Sequence, residues 1–188
     1  MELSTIPGIK HSRSLDYAQQ VHYPHHAQQV GPIFFKTPRK CSVFGICSEG
    51  SGKQLFYLVG EAENSGIGKG ANSVVSMVHH YFQHHGHGEK GRSLHFDICS
   101  GQNKNIVLWY ALWRVLVGLH VTIRYSMMIA GHTKFDPDWH FGVWKLRWRS
   151  SDVETLQEVA QSVMKSSRNG HNIPQLVQDD DKPIKFRD

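Results

Sequence analysis

The sequence is poor in cysteine and has no long uninterrupted apolar run. Only Cys41, Cys47 and Cys99 occur in 188 residues, an odd number without a Cys-x-x-Cys pair. That pattern argues against a disulfide framework and a structural zinc site, and for a reducing compartment. The longest apolar stretch, Ile106 to Leu119, is broken by Arg114 and is too short to span a bilayer. Met1 to His11 lacks the apolar segment of a secretory signal, so none is expected. No internal repeat is visible, which excludes solenoids and propellers.

What is present suits one domain. Hydrophobic residues make up 39% of the chain, enough for a core, and the mean hydropathy is −0.41. Lys and Arg number 21 against 16 Asp and Glu, a net charge of +5 with His neutral. Such a balance suits a polyanionic partner. Fourteen His add positive charge as pH falls towards about 6.

The pattern along the chain alternates. Ser14 to Ala18 reads as a short strand carrying an acid, and residues 19–31, polar and His-rich, read as irregular. Pro32 to Lys36, Cys41 to Cys47 and Gln54 to Val59 read as strands of an antiparallel hairpin or meander. Val74, Val75, Val78, Tyr81, Phe82 and His85 share one helical face, and Gly86 to Gly91 ends that helix. Leu94 to Asp97 is a strand ending in an acid. Asn105 to His120 is a helix apolar nearly all round, expected to be largely buried. Val121 to Ala130 is a strand. Asp136-Pro137-Asp138 starts a helix, and Ser151 to Glu154 resembles a capping box before a last helix reaching Met164. The expected division is a core over residues 1–169 and a tail or mobile arm over 170–188, with Asp179-Asp180-Asp181 and two Pro. This order predicts an α/β fold with a central mixed sheet flanked by helices, and it is also the ribonuclease-H-like order. In that order, acids on the first strand, the fourth strand and a late helix converge.

Asp16, Asp97 and Asp138 are those acids, each at a strand end or helix start. Three converging carboxylates repel unless cations join them. Two Mg²⁺ ions about 3.5–4 Å apart can activate a nucleophile and stabilise a leaving oxygen in phosphodiester displacement. Spacing alone also allows each acid to be a turn or cap residue, and Asp136 to be the ligand in place of Asp138. Gly101 to Asn105, with Lys104, can bind phosphate at a helix N-terminus, or form a polar loop. Gly66 to Gly70 fails the P-loop pattern. His80 and His84 stand at metal-binding spacing, but a solvated helix face is expected there. His132 can assist proton transfer or stabilise its loop. Lys134, Lys145, Arg147 and Arg149, interleaved with Trp139, Trp144 and Trp148, form a basic rim suited to nucleic acid, although Trp at helical spacing also builds cores.

Five segments carry a resemblance: Leu15 to Pro24 (with Asp16-Tyr17-Ala18-Gln19-Gln20-Val21-His22-Tyr23-Pro24), Gly31 to Cys41, Gly68 to Asn72, Asp97 to Asn105 (with Gly101-Gln102-Asn103-Lys104-Asn105) and Gly131 to Gly142. Over roughly residues 6–178 the chain resembles a transposon-derived family of eukaryotic proteins, found in many invertebrates and fishes. The resemblance implies a ribonuclease-H-like core of the transposase or integrase type, and a lone catalytic domain or truncated copy. It carries Asp16, Asp97 and Asp138 over as catalytic residues and as ligands of Mg²⁺ or Mn²⁺. It implies DNA as partner, no membrane, and a nuclear location, although no clear basic import cluster is present. RNA as substrate and association into a homo-oligomer stay open. Two departures stand out. Gly60-Glu61 replaces an Asp-Glu pair, and Asp97-Ile98-Cys99 replaces Asp-Asn-Cys. Both weaken the case for activity, so the alternative is a domesticated or decayed, non-catalytic nucleic-acid-binding or interaction protein.

Overall fold

The computed structural model describes residues 12–28, 31, 35–63, 70–96, 104–127 and 136–186. The β-rich sequence near the start forms three strands, β1 (Ser12–Tyr23), β2 (Arg39–Ser48) and β3 (Lys53–Gly60). They pair antiparallel in succession. The β2–β3 turn closes through Gly52 at φ 62°, a left-handed conformation that glycine adopts without steric cost. Three elements then follow: α1 (Ala71–His84), β4 (Gly91–Phe96) and α2 (Lys104–Leu116). The chain goes on through β5 (Thr122–Met127), α3 (Asp136–Arg149), α4 (Leu156–Met164) and β6 (Asn172–Leu176). The sheet order is β5-β4-β1-β2-β3-β6, and every neighbouring pair is parallel except the two that involve β2. The expected α/β class with a mixed sheet is therefore observed.

Two apolar cores cover the two faces. Phe44, Ile46, Leu55, Tyr57 and Val59 pack with α1, while Val43, Phe56, Leu58 and Cys41 pack with α3 and α4. Alternate residues of one strand thus feed opposite cores. That is why β2 and β3 read as continuous apolar runs rather than as half-polar strands.

Four expectations need correction. Residues 19–23 are not irregular. A register shift between Ala18 and Val21 carries β1 onward to pair Tyr23 with Arg39. The extra residue lets Ala18 and Val21 enter the same core, an effect that period-two reading of a polar stretch misses. The capping box is formed by Thr155 and Glu158 rather than Ser151 and Glu154, because Val153 bridges back to His25 and keeps that backbone extended. Residues 170–188 are not a tail in their described part. β6 pairs with β3, and Val177 and Ile184 enter the core. Finally, α2 buries only Val107, Ala111 and Arg114 among its described side chains; Tyr110 and Val115 are half-buried, and Ile106, Leu108, Trp109, Leu112, Trp113 and Leu116 are exposed. It lies beside the edge strand β5, where no further element covers its outer side among the described residues. The strand expected at Pro32–Lys36 and the outer part of Val121–Ala130 fall largely outside the described residues.

Candidate active-site edge

Asp16 sits in β1 directly opposite Gly45 of β2 and is half-buried. Its Oδ1 accepts the Tyr17 backbone N–H at 2.7 Å. Leu15 enters the core under α1 and Ala18 the core under α3. By strand alternation, Asp16 shares the α3 side with Ala18.

Gly45 makes the close approach of α3 possible. A Cβ there would stand 2.6 Å from Phe141 Cζ and 2.8 Å from Gln54 Nε2. Phe141 is buried, and its ring packs edge-on against Phe56. Asp138 precedes Phe141 by three residues, one turn nearer the start of α3, and is exposed. Asp136 opens the same turn. The Cys47 thiol is pushed up to about 12, first by burial and then by the negative charge of Asp136. The first turn of α3 therefore lies near the end of β2, on the sheet face where Asp16 also stands. Acids in a first turn are favoured by the helix dipole whatever else they do.

Asp97 lies outside the described residues. The parallel β1–β4 ladder ends at Leu15↔Phe96, whose next residues in the chain are Asp16 and Asp97. Gly101, Gln102 and Asn103, like His132 and Lys134, are also outside the described residues; of Lys104 only the backbone, at the start of α2, is described. Among the described residues no group of three His, Cys, Asp or Glu could hold a metal ion. The expected trio has only Asp16 and Asp138 within that set. As a donor set, carboxylates suit Mg²⁺ or Mn²⁺.

The basic rim divides. Lys145 is half-buried, Arg147 and Arg149 are exposed on the last turns of α3, and Trp139 is exposed on its first. Trp144 and Trp148 are core residues, so their helical spacing reflects packing. Trp144 Nε1 donates to Ser162 Oγ at 3.0 Å.

The His run is a solvated face only in part: His84 and His87 are exposed, but His80 is buried. His80 is 3% exposed; its Nε2 donates to the Lys182 carbonyl at 3.0 Å, and its Nδ1 accepts from the Tyr57 hydroxyl at 3.0 Å. Both ring nitrogens are engaged, so His80 and His84 do not form a metal pair. His79 Nδ1 lies 2.9 Å from the Tyr110 hydroxyl.

One residue of this edge escaped the sequence. His140 is buried, one turn after Asp136, and its Nδ1 donates to Asn172 Oδ1 at 2.7 Å. Burial lowers its pKa, while the Asn172 bond and Asp136 oppose that shift. Its ring also meets Trp139 and His171, at centroid distances of 4.8 and 5.4 Å. The i, i+4 spacing of Asp136 and His140 was the available signal, but Asn172 lies in the segment read as a tail.

No curated protein and no solved structure matches the chain. A family model does, and its span runs from the loop before β2 past the end of β6, taking in Asp97, Asp138 and His140 but not Asp16. With residues 36–181 matched, well over half of its length, the chain belongs to the family described as a domain of unknown function (DUF7869).

Proposed function

We propose that this chain is a ribonuclease-H-like domain of transposase origin that binds Mg²⁺ or Mn²⁺ through Asp16, Asp97 and Asp138 and performs phosphodiester chemistry on DNA. The observation that carries the reading is the β1–β4 ladder. It ends at Leu15↔Phe96, and Asp16 and Asp97 are the residues that follow that pair in the chain. The strand order adds support. A three-strand antiparallel unit is followed by β4 and β5 added in parallel beyond β1 through helical crossovers, the arrangement that fold class requires. The third acid belongs to α3, whose close approach over Gly45 brings its first turn to the face bearing Asp16.

Each side chain then has a task. Asp16 accepts the Tyr17 N–H on Oδ1, which orients its carboxylate. Asp138, on the first helical turn, closes the site from the helix side. Bound divalent ions supply charge neutralisation of the phosphate and a more acidic water or hydroxyl. Arg147 and Arg149, on the exposed side of α3, contact the DNA backbone, and the net charge of +5 favours its approach.

Calorimetric titration with Mn²⁺ tests the reading. Wild type should bind, and Asp97→Ala and Asp16→Asn should each weaken binding at least tenfold while keeping the wild-type circular dichroism spectrum. Equal binding by all three folded proteins would discard the metal site.

A further inference from the structure

We propose that the exposed apolar side of α2, together with the outer edge of β5, is the surface by which two copies of this chain associate about a two-fold axis. The inference is independent of the metal site. Trp109, Leu116 and Val121 are 67%, 76% and 70% exposed, and Leu112 and Trp113 beside them are also exposed. Trp109, Leu112, Trp113 and Leu116 fall at i, i+3, i+4 and i+7, one continuous helical stripe. A whole aromatic side chain offers about 150–250 Å², so at these exposures the five residues leave roughly 600 Å² of largely apolar surface in water. The largest patch on an ordinary monomer is about 300–600 Å², whereas a stable interface takes about 800 Å² from each partner. The stripe thus lies at the top of the monomer range, and the open edge of β5 beside it supplies the remainder of one side of a dimer.

The neighbouring strand points to a second copy rather than another occupant. β5 is an edge strand, and nothing pairs with its outer side among the described residues. It has six residues, no Pro and a single charge, Arg124, so it lacks the usual guards of an open edge. The opposite edge, β6, is guarded by Pro174 and is one residue shorter. An open strand pairs antiparallel with its own copy across a two-fold axis, the self-complementary contact of most homodimers. From Lys104 to Met127 the chain contains no Asp or Glu, so no acidic groups from α2 or β5 are buried by such a contact. A lipid surface would want a row of cations beside the apolar stripe. Among the described exposed side chains of α2 and β5, Arg124 is the only one.

Sedimentation equilibrium at micromolar concentration provides the test. Wild type should give twice the 21.4 kDa chain mass. Trp109→Glu and Leu116→Lys, both at exposed positions, should remain folded by circular dichroism and raise the dissociation constant at least tenfold. Leu146→Glu, at an exposed apolar site on α3, should stay dimeric. The proposal is overturned by a monomeric wild type, by variants of α2 that dimerise as well as wild type, or by equal loss in Leu146→Glu. It is also overturned by a monomer that pellets with phosphatidylserine vesicles, which would assign the face to a membrane.

Discussion

At the scale of single residues, Gly45 decides how near α3 comes to the sheet. Phe141 and Gln54 occupy the space a side chain would need, and both are buried. Neither can swing into solvent, so Gly45→Val must push the helix away or displace the ring. Overpacking of this kind costs about 1–3 kcal/mol. Urea unfolding should show that loss, with a melting temperature lower by several degrees; a wild-type midpoint would mean that α3 is not seated against β2. The cysteines illustrate burial without chemistry. Burial pushes the Cys41 thiol, like that of Cys47, up to about 12, so at neutral pH both are inert thiols. Asp16 drew attention in the sequence because a lone acid in an apolar strand costs free energy unless it is solvated or used. His140 was not, because its partner Asn172 is 32 residues away.

At the scale of elements, the closing segment holds the fold together. β6 pairs with β3 from Gln54↔Asn172 to Leu58↔Leu176. Within it Asn172 holds His140, and beyond it Val177 and Ile184 bury against the α1 core and the Lys182 carbonyl accepts from His80. Deleting residues 171–188 should therefore cost several kcal/mol, the sum of two lost core residues and a lost strand. A thermal melt followed by circular dichroism checks it: an unchanged transition would restore the polar tail that composition suggests. That composition misled because the three aspartates and the prolines dominate it, while the residues that bury are spaced singly among them. Local signals did better where the partner is local. The α1 periodicity lies within a few helical turns, and α1 formed near the expected position, while the box expected at Ser151 and Glu154 formed four residues on, at Thr155 and Glu158. The polar stretch after Ala18 became a strand because its partners, Cys41 to Arg39, come from another strand.

At the scale of the whole molecule, the many histidines couple stability to pH. Burial first, then neighbouring cations, lowers His120 to about 4, with Arg114 and Arg92 the main charges. Burial and the charge of Lys182 lower His85 to about 4 as well, and burial lowers His80 and His140. The unfolded chain takes up these protons near the ordinary imidazole value of about 6.5, and the folded chain does so only at lower pH. Within that window the unfolded state binds more protons, so folding stability rises with pH there. It is fully present above about 6.5 and declines as pH falls towards 4. Calorimetry should give a lower melting temperature at about pH 5 than at about pH 7.5, and His120→Gln should flatten that dependence. A pH-independent midpoint would show that these rings are not buried as neutral imidazoles.

Alternation of period, from two in the strands to three and four in the helices, was enough in the sequence to establish an α/β chain and the order of its elements from β1 to α4, and to single out the acids as candidates. Those features depend on residues close together along the chain. Three things were settled only by the fold: which polar stretches extend a strand, which apolar helix stays uncovered, and whether the last residues join the sheet. Each depends on what packs from elsewhere in the chain. A helix such as α2 carries the same residues whether its outer side meets protein or water, and only its place at the sheet edge leaves that side open.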